Sequence, residues 1–559
     1  MTFRQKLPLT QSAPSRRSRV LVILAALLAG SYLVAGGLFL TPYLSNADAV
    51  SYISVAQKYA RGDFSEAVNG YWSPLLSWLL VPPILLSINP VLAAKGLILI
   101  GGLALSFGIF LLGRRFGLSG GIRILLAALA LPIILFRYVL GPITPDLLVA
   151  AILVYYLYFV FDPEHFRKKR TWPLIGLLAA LGYFAKSYAF FFFLAHFIAL
   201  GVYHVFGSPR GSDRLKVMRR ILGTMVVFLA VSGTWITALS LKYHGLTIST
   251  SGRIALSLHS PQSRGHFTES GRLIPTPNPT AISAWEDPSL YPFQPSWNPL
   301  GSLKESKHFL SDLRDNTVDM ANILIKFSLW SLVILPLACV LSFWPRRHGP
   351  VFLALATLLI YDAGYAIVGV NTRYLYINEM LILLLAGYVL DLGFRMAGPG
   401  RWGLKTGVTL AFASLFVLTP YTLSAKFPQE HPALFSGRNG DPGKTLYFTS
   451  RRLAYVLAKR DPDTASQRRV TVASDSRYQD TLIVSYNADC GYCGILSPDQ
   501  DPPAMEDELI KNGVDYFLLW ENPKKKYPFL EDCPQLNLNR QPRLRVFDLR
   551  RLRSGAPGR

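Results

Sequence analysis

The sequence predicts a polytopic α-helical membrane protein that ends in a soluble α/β domain. Of its 559 residues, 51% are hydrophobic and only 16% are charged. Apolar runs of about 20 residues, the length that crosses a bilayer as a helix, recur along most of the chain. The formal net charge is +23, but the basic residues cluster in short loops between the apolar runs. This pattern indicates loops on the cytoplasmic side of a membrane and argues against a nucleic-acid partner.

Eleven apolar segments are predicted to span the membrane. If the N-terminus is cytoplasmic and the spans alternate, every short basic loop, such as Arg114–Arg115 and Arg346–Arg347, falls on the cytoplasmic side. The first segment is interpreted as a retained span, because no small-residue cleavage site follows it. We expect an integral protein of a bacterial inner membrane, with spans at residues 19–41, 91–112, 122–140, 146–162, 172–186, 188–206, 220–241, 318–344, 350–370, 374–394 and 404–422.

The apolar segment at residues 73–88 is predicted not to cross the membrane. It is short and is interrupted by Pro82 and Pro83. A crossing here would move the basic loop at Arg114–Arg115, and each later one, to the outer side. We therefore expect an interfacial or re-entrant segment.

Two domains are expected: a membrane domain at residues 1–422 and a soluble extracytoplasmic α/β domain at residues 423–559. The membrane domain would carry a first outer loop at residues 41–90 and a long outer loop at residues 243–317. The long loop is rich in Pro, Ser and Trp, which favours a lid that packs on the protein over a disordered linker. The soluble domain shows no phosphate loop, nucleophile elbow or metal-ligand spacing, so recognition or structural capping is its expected role.

Three of the four cysteines fall in the soluble domain: Cys490, Cys493 and Cys533. An oxidising compartment and one structural disulfide with one thiol left over are therefore expected. The Cys-x-x-Cys spacing of Cys490 and Cys493 also occurs in redox and zinc sites, but no second pair supports that alternative.

Four charged residues lie at the predicted outer ends of spans: Asp48, Asp146, Lys186 and Arg373. Two carboxylates and two cations on one face indicate a polar site at the membrane rim. Each also has a structural explanation, since the acids could cap helices and the cations could anchor them at headgroup level.

Two acids are predicted inside spans, Glu379 and Asp362. Intramembrane acids are functional candidates, although pairing of Glu379 with Arg373 or with a backbone group would account for it. The segment "AVSYISVAQKYARG", residues 49–62, repeats apolar residues at helical spacing. It predicts an amphipathic helix in the membrane interface that fixes the depth of Asp48.

Several segments, in their order and sidedness, resemble the GT-C class of integral membrane glycosyltransferases. The resemblance is to the glycosyltransferase family 39 relatives, which include lipid A aminoarabinose transferases, protein O-mannosyltransferases and rhizobial lipopolysaccharide transferases. It covers essentially the whole chain. The matching segments are "NADAVSYISVAQKYARGDFSEAVNGYWSPLLSWLL", "TPDLLVAAILVYYLYF", "LLAALGYFAKSYAFFFF" and "TRYLYINEMLILLLAGY".

This resemblance implies a GT-C-like fold and transfer of a sugar from a polyprenyl-phosphate donor to a hydroxyl of a glycan, lipid or protein acceptor, with inversion. By carry-over, Asp48 is the catalytic base and Asp146 the second acid. Lys186 and Arg373 are the expected ligands of the donor phosphate. Substrate or support roles are expected for Asn46, Tyr52, Tyr374 and Glu379.

Many relatives carry two adjacent acids in the first loop, where this chain has Asn46-Ala47-Asp48. The resemblance therefore leaves open whether Asp48 and Asp146 hold a divalent cation, and no other cofactor is expected. Three other functions remain open at this point: a lipid or sugar transporter or flippase, a non-catalytic receptor or assembly factor, and an oligosaccharide ligase that uses a diphosphate-linked donor. Membrane lipids are expected neighbours in each case.

Overall fold

The structure is a computed structural model of the chain. It describes residues 16–38, 40–44, 46–162, 171–207, 212–263, 270–291, 297–398, 400–422, 442–460, 469–497, 499–520, 527–538 and 544–553.

The membrane domain is a bundle of helices. A π-helix at Ile134–Val139 continues α6, and short 3₁₀ turns at Ala284–Glu286, Pro288–Leu290 and Thr372–Leu375 lie in the connections. The α-helices are α1 (Arg16–Leu38), α2 (Ala47–Arg61), α3 (Phe64–Ala67), α4 (Leu75–Leu85), α5 (Pro90–Arg115), α6 (Gly120–Ile133), α7 (Asp146–Val160), α8 (Thr171–Ala185), α9 (Tyr188–Gly207), α10 (Ser212–Lys242), α11 (Ser251–Leu258), α12 (Leu303–Phe327), α13 (Ser331–Ser342), α14 (Pro345–Val368), α15 (Tyr376–Met396) and α16 (Trp402–Thr422).

Within the described residues, 7 helices are long and apolar enough to cross a membrane, and the bent pair α12–α13 brings the number to 8. Three shorter apolar helices, α7, α8 and the second half of α1, coincide with the remaining predicted spans. The expected polytopic helical fold is confirmed.

One predicted span is not a straight helix. The segment expected at residues 318–344 is broken between α12 and α13, whose axes differ by 111°. At the break Ser328 has an extended backbone, and its hydroxyl donates to the carbonyl of Leu415 at 3.3 Å. The chain therefore turns sharply inside the bundle, because a neighbouring helix supplies the acceptor that ties the non-helical residue in place.

The short helix α4 supports the interpretation of residues 73–88 as a segment that does not span. Its 11 residues measure about 16 Å along the axis, roughly half the thickness of the hydrocarbon core. The hydroxyl of Ser77 on its buried face donates to the carbonyl of Tyr52 at 2.8 Å. Helix α4 therefore packs against α2 and supports it.

The C-terminal domain contains one mixed sheet of five strands, in the order β2-β1-β3-β5-β4. The parallel core, β1 with β2 and β3, is joined to an antiparallel edge of β5 and β4. This confirms the expected α/β layer. The elements are α17 (Pro442–Arg460), β1 (Thr471–Ser474), α18 (Tyr478–Asn487), β2 (Gly491–Ile495), α19 (Pro502–Lys511), β3 (Tyr516–Leu519), β4 (Gln535–Leu536), β5 (Arg545–Asp548) and α20 (Arg550–Arg553). The expected boundary at residues 422 and 423 falls where a described stretch ends, and it stays a prediction.

The long outer loop pairs with the edge of the sheet next to β2. Tyr492 donates its backbone N–H to Ile282 at 2.6 Å, and Ile274 donates to Cys493 at 2.7 Å. The loop thereby covers an edge strand that would otherwise present unpaired backbone groups. Since the side-chain amide of Gln57 on α2 also donates to the hydroxyl of Tyr486 at 3.4 Å, the sheet domain, the loop and α2 form one packed unit.

The expected disulfide is wrong for the described residues, because Cys490 and Cys533 are thiols. Cys490 packs into the core that the domain shares with the bundle, whereas Cys493 and Cys533 pack into a separate core of the sheet. Residues three apart in an extended chain point to opposite faces of a sheet. The geometry of β2 therefore keeps Cys490 away from Cys493.

Burial raises the pKa of the Cys490 thiol to about 12 and that of Cys533 to about 11. Because the thiolate is the reactive form, alkylation of both by iodoacetamide should be slow in the native protein at pH 8 and should accelerate as the pH rises toward 11. Mass spectrometry of denatured protein that was never reduced should show both residues alkylated. A site that became reactive only after reduction would reveal a disulfide and contradict the structure.

Candidate active site

A cavity of about 510 Å³ opens at the end of the bundle that carries the C-terminal domain. Its walls come from α2, the turns before α7 and α9, helix α11 of the long loop, and the connection between α14 and α15. The charged lining residues are Asp48, Asp146, Lys186, Arg253 and Arg373.

The four charged residues predicted at the outer rim meet in this cavity. Arg373 Nη1 lies 2.7 Å from the Asp48 carboxylate, and its Nε lies 3.6 Å from Asp146. Lys186 Nζ lies 2.5 Å from Asp146 and 3.5 Å from the ring centre of Tyr374. Arg373 therefore bridges two acids from distant parts of the chain, and Lys186 neutralises the second one from the other side.

Both acids sit in the first turn of a helix rather than at its cap. The cap residues of α2 and α7 are Asn46 and Pro145, while Asp48 and Asp146 follow inside the helices. A carboxylate in the first turn is favoured by the positive end of the helix dipole. The capping explanation is therefore wrong, and the ion pairs with Arg373 account for these side chains instead.

Asn46 connects the two loops that carry the acids. Its amide donates to the carbonyl of Ile143 at 3.2 Å and accepts the Ile143 backbone N–H at 3.0 Å. This pair of bonds holds the start of α2 against the turn that precedes Asp146.

Aromatic side chains form one wall of the cavity. Tyr52 and Trp72 pack edge to face at 5.0 Å, and Trp72 packs likewise on Trp285 of the long loop at 5.3 Å. The indole N–H of Trp72 also donates to the carbonyl of Trp285 at 3.0 Å. Burial, together with the nearby acids, raises the pKa of Tyr52 and Tyr71 well above its usual value, so both line the cavity as neutral phenols. The long loop packs on the site, as its aromatic content predicts.

The two acids predicted inside spans lie away from the cavity. Glu379 is fully buried and accepts from Arg137 at 2.6 to 2.9 Å and from the hydroxyl of Tyr138 at 2.5 Å. Asp362 accepts from the amide of Asn378. The expected pairing of Glu379 with Arg373 is wrong. The π-helix after α6 places Arg137, not Arg373, against the Glu379 carboxylate.

The sequence patterns did not single out Arg253 or Trp285. Arg253 lies on α11, a helix of 8 residues inside the long loop, and it lines the cavity. None of the described carboxylates forms an ion pair with it. No sequence pattern distinguishes Arg253 from the other basic residues of this long outer loop, because the positive-inside rule is informative for short loops.

Comparison with solved structures identifies the fold. The oligosaccharyltransferase of Archaeoglobus fulgidus, in complex with Zn and sulfate, matches 90% of this chain and 68% of its own, at 14% identity and a TM-score of 0.56. ArnT from Cupriavidus metallidurans, bound to undecaprenyl phosphate, matches 95% of this chain and 97% of its own, at 12% identity and a TM-score of 0.52. The chain has the GT-C fold. No protein-family model and no curated protein matches the sequence.

A third solved structure with this fold is the oligosaccharyltransferase AglB from the same archaeon, in complex with an inhibitory peptide and a dolichol-phosphate. It matches 90% of this chain and 69% of its own, at 13% identity and a TM-score of 0.51. At these identities the likeness concerns the GT-C fold, and the site must be interpreted from its own residues.

The residues of this GT-C cavity do not fit a divalent cation. Each acid that could bind a metal already faces a cation, Asp48 through Arg373 and Asp146 through Lys186. In the described residues no group of three or more His, Cys, Asp or Glu side chains forms a metal-binding cluster. No step of the chemistry below uses a metal.

A buried ion pair fixes α2 to the long loop of the GT-C bundle. Lys58 is fully buried and pairs with Glu286, which is 2% exposed. Lys58 also donates to the Asn278 side chain at 3.1 Å, while Glu286 accepts the backbone N–H of Ile282 at 3.1 Å. The sequence predicts that α2 lies in the membrane interface. In the structure, protein also covers the polar side of this helix. The pair sets the position of the helix that carries Asp48.

Replacing Lys58 by Met should strongly destabilise the fold, because the Glu286 carboxylate would stay buried without a partner. The expected loss is about 3–5 kcal/mol. The double variant Lys58→Met, Glu286→Gln removes the charge and should recover most of this loss. Thermal unfolding in detergent compares the stability of the wild type, the single variant and the double variant.

Arg61→Gln is the matched control for the Lys58 variant. Arg61 is half exposed on the same helix and pairs with Asp63, so its loss should cost less than about 1 kcal/mol. If the double variant proved as unstable as Lys58→Met alone, an unpaired buried charge would not be the cause.

Proposed function

We propose that the protein is a membrane glycosyltransferase that moves a sugar from a polyprenyl-phosphate donor to a hydroxyl acceptor. The observation that carries the proposal is the single cavity in which two carboxylates and three cations meet beside an aromatic wall. The GT-C fold supports it, as do the dolichol-phosphate and undecaprenyl phosphate bound by two proteins of that fold. The reaction would occur on the extracytoplasmic side of a bacterial inner membrane, with the N-terminus cytoplasmic.

The charge of the cavity favours a monophosphate-linked donor. Three cations, Lys186, Arg253 and Arg373, against two acids, Asp48 and Asp146, leave one positive charge in the lining. A sugar joined to a polyprenol through one phosphate is a diester with a single negative charge, which this excess neutralises. A diphosphate link carries two charges and would leave one of them unbalanced in a site of low dielectric.

Donor binding would also free the base. In the cavity as described, Asp48 is paired with Arg373, and the guanidinium occupies the carboxylate that an acceptor hydroxyl would approach. The donor phosphate competes for the guanidinium, whose planar fork suits phosphate oxygens. As Arg373 turns toward the phosphate, Asp48 becomes available to an acceptor hydroxyl.

The proposed reaction is a direct displacement. The acceptor oxygen forms a bond to the anomeric carbon, and its proton passes to Asp48. The bond between that carbon and the phosphate oxygen breaks, and its electron pair stays on the polyprenyl phosphate. Lys186, Arg253 and Arg373 stabilise the developing charge, and attack from the opposite face inverts the anomeric configuration.

Asp146 is proposed as the residue that positions the cations. Its carboxylate is almost fully buried and contacts Lys186 at 2.5 Å and Arg373 at 3.6 Å. Because a fixed acid holds the two cations in place, they need little reorganisation when the donor phosphate binds. Tyr52 and Tyr374 would pack against the sugar.

The alternatives to this reaction are an oligosaccharide ligase that uses a diphosphate-linked donor and a transporter or flippase. The first test distinguishes them from the proposed transferase.

Purified protein in detergent should transfer radiolabelled sugar from polyprenyl monophosphate donors to at least one acceptor in a panel of glycans, lipids and proteins. Asp48→Asn should lower the rate by about 10²–10⁴-fold while leaving the melting temperature within a few degrees. NMR of the product should show inversion. Transfer from diphosphate donors alone would identify a ligase, and movement of lipid across vesicles without transfer would identify a transporter.

Arg253→Gln should weaken use of the donor, because a charge-assisted bond to the phosphate is lost. The expected decrease in kcat/KM is about 10- to 100-fold, mostly as a higher KM for the donor, with the KM for the acceptor unchanged. Arg61→Gln, an exposed arginine outside the cavity, is the control. Equal effects of the two variants would remove Arg253 from the phosphate site.

A further inference from the structure

A second cavity of about 290 Å³ lies in the membrane domain, away from the active site. It is enclosed by α13, the second half of α15 and the first half of α16. On α15 it extends from Ala386 to Ala397, whereas Arg373 precedes the helix. At 1.5 Å per residue the two sites are separated by roughly 20–35 Å. The lining residues are Trp330, Ile334, Ala386, Val389, Leu390, Gly393, Phe394, Ala397, Leu404, Lys405, Val408 and Phe412.

The lining is apolar apart from one cation and one indole N–H. Lys405 donates to the carbonyl of Gly398 at 2.6 Å and lies 5.7 Å from the ring centre of Phe394. Trp330 Nε1 is buried and has no hydrogen-bond partner in the described part of the chain. An apolar cavity with a cation at its edge does not suit a sugar or a free anion. It suits a chain of methylene groups that carries a negative head.

The connection between α15 and α16, which borders this cavity, is basic. Lys405 in the first turn of α16 lines the cavity, Arg401 directly precedes α16, and Arg395 lies in the last turn of α15. Asp391 is the acid nearby, and it pairs with Arg395 at 2.5 Å, which leaves two positive charges in excess. The N-terminus of α16 adds its helix dipole to the same connection. The positive-inside pattern predicts that this connection faces the cytoplasm, where the leaflet carries anionic lipids.

We propose that this cavity binds an anionic glycerophospholipid of the cytoplasmic leaflet. One acyl chain occupies the apolar cavity between α13, α15 and α16, and the phosphate lies at Lys405 and Arg401. Van der Waals packing holds the acyl chain, because a chain that leaves the bilayer gains no further hydrophobic energy, while the two cations select a negative headgroup.

The polyprenyl donor is not the expected occupant. Its phosphate is placed at Arg253, Lys186 and Arg373, at the far end of α15, and one phosphate cannot lie at both ends. The lipid site therefore stands independently of the proposed transferase activity. Its test measures lipid retention rather than sugar transfer.

The experiment compares lipid retention by full-length protein in detergent, using native mass spectrometry and thermal unfolding. Phosphatidylglycerol should be retained at least tenfold better than phosphatidylcholine and should raise the melting temperature. Free glycerol 3-phosphate should do neither, because it lacks the acyl chain. Equal retention of the two phospholipids would overturn the proposal, and a stabilisation by glycerol 3-phosphate equal to that by the lipid would do the same.

Two glycines supply matched variants. A Cβ at Gly393 meets no atom within 4 Å, so Gly393→Leu should fill the lipid cavity without disturbing the fold and should reduce phosphatidylglycerol retention at least tenfold. A Cβ at Gly233 on α10 also meets open space, and Gly233→Leu should leave retention unchanged. Lys405→Gln should remove the preference for the anionic lipid while the cavity stays open. Equal behaviour of the two glycine variants, or displacement of the lipid by undecaprenyl phosphate, would refute the assignment.

Discussion

Arg373 holds together two helix N-termini that would otherwise repel one another. The first turns of α2 and α7 each present unpaired backbone N–H groups and a positive dipole, and each contains an aspartate. The guanidinium of Arg373 contacts both carboxylates and Lys186 contacts the second one, so two cations balance two acids. Because the cavity is flanked by apolar helices, these interactions are stronger than they would be in water. The bundle can hold this polar cluster because the cluster is nearly neutral. The cavity favours an anion because one more cation, Arg253, lies in its wall.

The position of Asp48 depends on elements that are far apart in sequence. Helix α2 rests on α4 through Ser77, is joined to the turn before α7 through Asn46, and is fixed to the long loop through Lys58 and Glu286. The long loop in turn pairs with the sheet of the C-terminal domain. An acceptor that displaced this domain would therefore act on the helix that carries the proposed base. The buried ion pair adds geometric specificity here, which is a better account of its presence than net stability.

The sequence predicted the helices and the face on which the charged residues meet, because both follow from local rules. Apolar runs of sufficient length must be helical in a bilayer, and the basic loops determine which ends share a side. Partners were not predictable in the same way. Glu379 pairs with Arg137, 242 residues away, and no periodic pattern in the sequence indicates a contact between residues so far apart. The expected disulfide was wrong for a related reason, since Cys490 packs into the core shared with the bundle while Cys493 and Cys533 pack into the core of the sheet.

Helix α15 links the two ends of the membrane domain. In its apolar stretch, 83% of the residues are buried, compared with at most 56% in the other long spans, so it is held on all sides. The Glu379–Arg137 pair fixes its first half to the π-helix after α6, while its second half lines the lipid cavity. The turn that carries Arg373 leads directly into this helix. The position of the guanidinium and the shape of the second cavity therefore depend on the same closely packed element.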